Sequence, residues 1–268
     1  EQTVDELGER PLLHSFTTPL GARHVAELVD GLAAGMQSLG VRRGDRIGLY
    51  LQNDPQYMIA MLAAWRLGAI ALACNPMLRD RELAHHLQDA GATALVVLDD
   101  LYEIAQRAAE NVPDMRLVLT TSRDDLRSAG ASPQGAPPGT HDLIMLARQH
   151  AGVPYERVAP DPGEVAVLTY TSGTTGPAKG AMNTHGNIAF ASRVYRDWMG
   201  VRADDTILGI APLYHVTGLT GHIGLAVASG APLILAHRFD PAQVAELVEH
   251  HRATVTVAAI TAYVALAN

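Results

Sequence analysis

Apolar residues along this chain follow two patterns, a spacing of three to four residues and short unbroken runs. The first pattern predicts amphipathic helices, and the second predicts strands buried on both faces. Predicted helices cover residues 22–39, 55–67, 80–90, 101–110, 186–199, 216–229 and 241–251, and another begins at Ile260. Predicted strands cover residues 46–51, 69–73, 94–98, 115–120, 164–169, 206–210, 231–236 and 254–257.

Local signals mark the ends of several of these helices. Gly40 follows the first helix at the position where a glycine commonly closes a helix. Asn53 and Asp54 offer a capping side chain before Pro55, and Asp240 offers the same cap to the helix that follows it. The alternation of helix and strand predicts an α/β fold of layered, largely parallel sheets flanked by helices.

The pattern is interrupted between residues 121 and 163. Residues 130–139 contain six glycines or prolines, which is typical of an exposed connection. We therefore predict two α/β regions, one over residues 1–160 and one over residues 161–268, with residues 121–163 as the connection between them.

Composition and charge exclude several classes of protein. The chain has 268 residues, 48% of them apolar, so it can bury a core and does not resemble a disordered chain. Its formal charge of −8 argues against binding to nucleic acid or to an anionic membrane surface. Cys74 is the single cysteine, which excludes an internal disulfide and suits a reducing cytoplasm.

No export or membrane signal is expected from the sequence. Charged residues interrupt positions 1–15, so they do not form a secretory signal. The uncharged run over residues 206–237 is long enough to cross a membrane, but it holds two prolines, five glycines and three histidines. We interpret it as buried α/β core and expect no membrane span.

A loop rich in glycine and hydroxyl groups follows the predicted strand that ends near Thr169. It reads Thr171-Ser172-Gly173-Thr174-Thr175-Gly176-Pro177-Ala178-Lys179-Gly180. Glycines let backbone amides converge, hydroxyls donate to phosphate oxygens, and Lys179, the chain's only lysine beside nineteen arginines, adds a compact ammonium. An ordinary exposed turn is the alternative, but a turn needs neither four hydroxyls nor the lysine. The sequence therefore predicts a phosphate site.

This loop strongly resembles the phosphate loop of the adenylate-forming superfamily, which includes acyl-CoA and aryl-CoA synthetases, luciferases and the adenylation domains of peptide synthetases. The family usually has Gly-x-Pro-Lys-Gly, whereas this chain has its proline one position earlier, at Pro177. Four further segments resemble segments of acyl-CoA ligases: residues 65–69, Asn75-Pro76, Arg81-Glu82-Leu83 and Pro212-Leu213-Tyr214-His215-Val216-Thr217-Gly218.

The resemblance implies a two-step reaction, in which a carboxylate attacks the α-phosphorus of MgATP and the thiol of coenzyme A then displaces AMP. It implies that the β- and γ-phosphates are held by Thr171, Ser172, Gly173, Thr174, Thr175, Gly176 and Lys179. His215 would gate or line the acyl site beside Val216 and Gly218, with Lys179 and His215 as the catalytic residues. Amino-acid-activating members carry an aspartate in this region, and its absence here indicates a plain carboxylic acid, fatty or aromatic.

Two interpretations of the glycines after His215 stay open. With Val216, Leu219 and Ile223 beside them, Gly218, Gly221 and Gly224 give either an apolar wall for an acyl group or close packing between helices.

Two pairs of neighbouring histidines, His85/His86 and His250/His251, suggest a metal site, but the side chains of neighbours on a helix point about 100° apart and cannot share a face. We therefore expect a solvated helix surface at both pairs and assign no metal ligand.

The family's later motifs, including its small C-terminal domain, lie beyond Asn268. We therefore interpret the chain as the N-terminal portion of an acid:CoA ligase that is inactive without its missing C-terminal half. Acyl-AMP ligases and luciferase-like enzymes share the first step and are alternatives, as is a non-catalytic module that binds a nucleotide or an acyl group. The sequence does not specify the oligomeric state.

Overall fold

Two β-sheets organise the chain in a computed structural model that describes residues 2–127, 135–171 and 178–267. The larger has seven strands in the order β7-β6-β5-β3-β4-β8-β9, and the smaller has four in the order β10-β11-β1-β2. The strands are β1 Pro11–Ser15, β2 Thr18–Gly21, β3 Arg46–Tyr50, β4 Ile70–Ala73, β5 Ala92–Leu98, β6 Leu117–Thr121, β7 His141–Asp142, β8 Val165–Thr171, β9 Lys179–Thr184, β10 Ile207–Gly209 and β11 Leu233–Leu235.

Helices cover the sheets and connect most of the parallel strands. They are α1 Gln2–Leu7, α2 Ala22–Ser38, α3 Pro55–Arg66, α4 Asp80–Ala90, α5 Tyr102–Ala109, α6 Leu143–Gln149, α7 His185–Met199, α8 Val216–Gly218, α9 Leu225–Ser229, α10 Pro241–His251 and α11 Ile260–Ala267. A 3-10 turn at Asp99–Leu101 precedes α5, and a π-helical turn at Leu219–Gly224 joins α8 to α9.

The predicted fold class is confirmed, because the pairs from β7 through β8 in the large sheet are parallel. Every residue of β5 is buried, as expected for a central strand made of an apolar run. In the small sheet β1 and β10 run parallel to β11, and β2 forms an antiparallel hairpin with β1. The uncharged run over residues 206–237 forms β10, the helical segment 216–229 and β11, as predicted.

Several elements differ from the prediction. The predicted strand over residues 254–257 is wrong, because Val255 makes only one bridge to β10, although its carbonyl accepts from Leu208. The interval 121–163 contains β7 and α6 in addition to irregular chain. Strands before and after residue 160 pair with one another in both sheets, and the division at that residue stays a prediction.

None of the helices within residues 2–127, 135–171 and 178–267 combines the length and the hydropathy that crossing a membrane requires.

Candidate functional site

The two ends of the glycine-rich loop lie side by side at one edge of the large sheet. Strand β8 ends at Thr171, β9 begins at Lys179, and these two residues are partners in the antiparallel register. Both are exposed. The other residues predicted to hold phosphate, Ser172, Gly173, Thr174, Thr175 and Gly176, lie outside the described residues, so the roles of the whole loop stay predictions.

Strand β9 was not predicted from the sequence. It is an edge strand whose residues are exposed or half-buried, so no alternation of apolar and polar residues marks it. Backbone pairing with β8 makes it a strand, and Asn183 Nδ2 adds a hydrogen bond of 3.0 Å to Thr169 Oγ1. The glycine-rich loop therefore connects two antiparallel strands.

A cavity of about 550 Å³ opens at the loop's ends. It is lined by Ala73, Asn75, Leu78, Arg81, Glu82, His85, His86, Tyr170, Thr171, Ala178 and Tyr214. Ala73 and Thr171 are the last residues of the parallel strands β4 and β8, so the cavity lies at the carboxyl ends of strands. Ligands of open α/β sheets bind at this edge.

One wall of the cavity comes from α4 and carries Arg81, Glu82, His85 and His86. His86 is buried and stacks on Tyr170, with ring centroids 4.1 Å apart. The predicted solvated surface is therefore wrong at His86. Burial lowers the pKa of His86, which favours a neutral imidazole at neutral pH.

The segment 212–218, which was predicted to line the acyl site, reaches the same cavity through Tyr214. His215 is exposed and caps α8, where its Nδ1 lies 3.3 Å from the amide nitrogen of Thr217 and 3.1 Å from its Oγ1. Val216 is also exposed. Gly218 is buried, and a Cβ there would lie 2.2 Å from the carbonyl oxygen of Pro212. Glycine at 218 thus permits the tight turn that precedes α8.

Two side chains to which the sequence assigned no role at this site hold the residues before His215. Asn53 Nδ2 donates to the carbonyls of Gly209 and Ala211 at 3.1 and 2.9 Å, and its Oδ1 accepts from the amide of Leu213 at 2.9 Å. His222 Nε2 accepts from the amide of Ala211 at 3.0 Å. No local sequence pattern predicts these contacts, because each partner is far away along the chain or belongs to the backbone.

The helical segment 216–229 contributes to a second cavity, beside α7. A Cβ at Gly224 would lie 1.9 Å from Ser192 Oγ, so this glycine serves close packing between helices. Leu219 and Ile223 are buried and nevertheless line a cavity of about 570 Å³ between the two helices. Gly224 thus shows close packing between helices, whereas Gly218 packs against the turn at Pro212. The acyl wall stays a prediction.

Other candidate chemistry is limited. In the part of the chain that the structure describes, no group of three or more His, Cys, Asp and Glu side chains is arranged to hold a metal ion. Cys74 is fully buried, and burial raises the pKa of its thiol to about 12. The second histidine pair is split, since His250 is exposed while His251 packs on His14 with ring centroids 4.4 Å apart.

Comparison with known proteins adds independent evidence. The family model described as AMP-binding enzyme matches residues 1–268. A long-chain-fatty-acid–CoA ligase of Escherichia coli O6:H1 is 30% identical over 275 residues, which cover 96% of this chain and 49% of that protein. A 4-coumarate–CoA ligase of Oryza sativa subsp. japonica is 30% identical over 269 residues, covering 95% of this chain and 45% of that protein.

A solved structure gives the same result. The crystal structure of a long-chain-fatty-acid-CoA ligase from Archaeoglobus fulgidus superposes with a TM-score of 0.83 at 28% identity, covering 99% of this chain and 51% of that one. The chain thus spans about half the length of the proteins that it matches.

Proposed function

The chain belongs to the AMP-binding enzyme family, and from this premise we propose that it forms the N-terminal portion of an ATP-dependent carboxylic acid:CoA ligase. The portion would bind MgATP and a carboxylic acid and would support formation of the acyl-adenylate. The relatives' names favour a fatty or aromatic acid and a role in fatty acid metabolism.

The observation that carries this proposal is the shared cavity at the loop. Thr171 and Ala178, which flank the loop on its two sides, line the same space of about 550 Å³ as Tyr214, the neighbour of His215. A polyphosphate held by the loop and an acid held near His215 would therefore meet in one cavity. This is the arrangement that transfer of an adenylyl group to a carboxylate needs.

Both reactants of the first step are anions, so the protein must offset negative charge and align the attacking oxygen. A carboxylate oxygen attacks the α-phosphorus, the bond to the β-phosphate bridge breaks, and pyrophosphate leaves with the electron pair. The catalysis is mainly positioning and electrostatic stabilisation. Lys179 supplies the positive charge for the β- and γ-phosphates, and His215 lines or gates the acid side.

The donors at the loop suit phosphate. A hydroxyl at Thr171 and an ammonium at Lys179 donate hydrogen bonds to phosphate oxygens, and Mg²⁺ in such sites is usually bound through waters and the substrate's phosphates. We therefore treat Mg²⁺ as entering with the phosphates of ATP, and coenzyme A as the second substrate. The buried thiol of Cys74 and the absence of other cysteines from the sequence suit a cytoplasmic location, which stays a prediction.

Titration of the 268-residue chain with MgATP and with AMP tests the proposal. Because Lys179 is assigned to the outer phosphates, Lys179→Ala should weaken MgATP about tenfold and AMP less than about twofold, as expected for loss of a charged hydrogen bond. Arg202→Ala, which removes an exposed cation outside the cavity lining, is the matched control and should bind both nucleotides like the parent chain.

Equal losses for MgATP and AMP would remove the role assigned to Lys179. We further expect the chain alone to bind MgATP without exchanging labelled pyrophosphate into ATP, since it spans about half of its relatives' length. Exchange catalysed by the isolated chain would contradict that expectation.

A further inference from the structure

Tyr170, the residue before the phosphate loop, is held by two side chains of α4. Its hydroxyl donates to Asp89 Oδ2 at 2.5 Å. Its ring stacks on His86, with centroids 4.1 Å apart and planes inclined by 20°. His86 and Asp89 are three residues apart, so they lie on the same face of α4.

The ring of Tyr170 also covers the backbone at the other end of the loop. Tyr170 and Gly180 are register partners in the antiparallel pair. A Cβ at Gly180 would lie 3.1 Å from Cε2 and 3.2 Å from Cζ of Tyr170, which is tighter than ordinary side-chain contact. A glycine at 180 is therefore what lets the ring lie against the start of β9.

Helix α4 is a firm support for this ring. Glu82 accepts from the amide of Arg79 at 3.0 Å and so caps the first turn. Leu83 and Leu87 are fully buried and fix the helix to the core. A side chain that α4 holds therefore has a fixed position relative to the sheet.

We propose that Tyr170, held by His86 and Asp89 against Gly180, is a positioning residue that fixes both ends of the phosphate loop before a nucleotide binds. We call these four residues the tyrosine clamp. The inference rests on the proposed function, because it assigns the loop to the β- and γ-phosphates. If the loop's ends are already held, less conformational entropy is lost when a nucleotide binds, and binding is tighter.

The titratable groups around the clamp are compatible with this role. Burial, and then the hydrogen bond and charge of Asp89, raise the pKa of Tyr170, so its hydroxyl stays a donor at neutral pH. Burial and the neighbouring His85 lower the pKa of His86, whereas Glu82 and Asp89 act in the opposite direction. Tyr170 therefore stacks on a neutral ring at neutral pH.

A matched pair of tyrosine variants tests the clamp. Tyr170→Phe removes the hydroxyl and keeps the ring, and Tyr155→Phe removes an equivalent hydrogen bond, 2.5 Å to Asp30, outside the cavity lining. We expect Tyr170→Phe to weaken MgATP about fivefold and to leave AMP within about twofold of the parent chain. Tyr155→Phe should bind both nucleotides like the parent chain.

Rescue by a conservative variant separates positioning from general damage. Asp89→Asn keeps an oxygen that accepts from the phenol, so it should retain most of the MgATP affinity, whereas Asp89→Ala should match Tyr170→Phe. Equal losses for MgATP and AMP, a loss in Tyr155→Phe as large as that in Tyr170→Phe, or no loss in Tyr170→Phe would each overturn the proposal.

Amide hydrogen exchange without nucleotide gives a second measurement. Tyr170→Phe should speed exchange about fivefold at residues 169–171 and 179–181, because the strand ends open more often without the clamp, and Tyr155→Phe should not. If the parent chain fails to bind MgATP, the proposed function fails for this chain. Amide hydrogen exchange is then the only test of whether the clamp holds the loop's ends. Unchanged exchange in Tyr170→Phe would then overturn it, and faster exchange would support it.

Discussion

Both carboxylate oxygens of Asp54 lie 3.0 Å from Nδ1 of His237, in a pair that joins the start of α3 to the residues after β11. Asp54 is 2% exposed, so the pair is shielded from water. The backbones of Asn53 and His237 also exchange hydrogen bonds of 3.0 and 3.1 Å. The two sheets are thus fastened to each other at this point, close to the residues that Asn53 holds.

Two aspartates at helix starts should therefore differ in their effect on stability. The carboxylate of Asp54 makes no capping hydrogen bond, whereas Asp240 accepts from the amide of Gln243 at 2.9 Å. We expect Asp240→Ala to lower the free energy of unfolding by about 1 kcal/mol, the value of a lost cap. Asp54→Ala should lower it by about 3 kcal/mol, because it leaves the buried Nδ1 of His237 without its hydrogen-bond partner. Urea unfolding measures both, and equal losses would show that the pair adds nothing beyond a cap.

The same residues show what the sequence could predict. Helical spacing of apolar residues located α2 to α5 and α10, because each buries one face. Short apolar runs located β3 to β6, because these strands are buried on both faces. The cap at Asp240 was confirmed, since its partner lies three residues away. The cap at Asp54 was wrong, because the carboxylate's partner is 183 residues away along the chain.

The candidate site was likewise predicted only in part. The loop between β8 and β9 was recognised because its residues are contiguous. The contacts of Tyr170 with Asp89 and His86 were not predicted, because they depend on the pairing of β8 with β4 and on the packing of α4, which no local pattern encodes. The hairpin β1–β2 was also missed, since its turn at Phe16 has a φ of 54° without the glycine that usually marks such a turn.

Asn53 provides a test of how the segment before His215 is positioned. Asn53→Ala removes three hydrogen bonds to the backbone of residues 209–213, so we expect the free energy of unfolding to fall by about 2–3 kcal/mol. Hydrogen exchange should quicken most at the amide of Leu213. Asn111→Ala is the control, because Asn111 is an exposed asparagine whose Nδ2 donates to the carbonyl of Arg107, four residues earlier, at 2.8 Å. A loss no larger than that of the control would contradict the role given to Asn53.

His222 makes stability depend on pH in a defined direction. It is fully buried, its Nε2 accepts from the amide of Ala211, and its Nδ1 donates to the carbonyl of Gly221 at 3.0 Å, so the folded state holds a neutral ring. Burial lowers the pKa of His222 from 6.5 to about 4. Its contribution to stability is therefore complete above pH 6.5 and is lost as the pH falls from 6.5 towards 4.

When the pH falls from 7 to 5, protonation linked to His222 alone should lower the free energy of unfolding by about 2 kcal/mol. Burial also lowers the pKa of His14 to about 4, so the parent chain should lose more than that. Urea unfolding at the two pH values checks this, with His222→Gln expected to show a smaller difference than the parent chain by about 2 kcal/mol. The exposed-site variant His24→Gln should keep the parent's difference, and an unchanged difference in His222→Gln would count against the assignment.

Lys179 offers a direct chemical test of the phosphate loop, because it is the chain's only lysine and is exposed. An amine-reactive acylating reagent modifies the uncharged amine, and contact with phosphate favours the charged ammonium and also blocks access to it. We therefore expect saturating MgATP to slow modification of Lys179 about tenfold, in line with a charged hydrogen bond. AMP should protect little, because it lacks the outer phosphates, and the α-amine at the chain's start serves as an internal reference in the same peptide mass spectrum. Modification of Lys179 at the same rate with and without MgATP would place the polyphosphate away from this side chain.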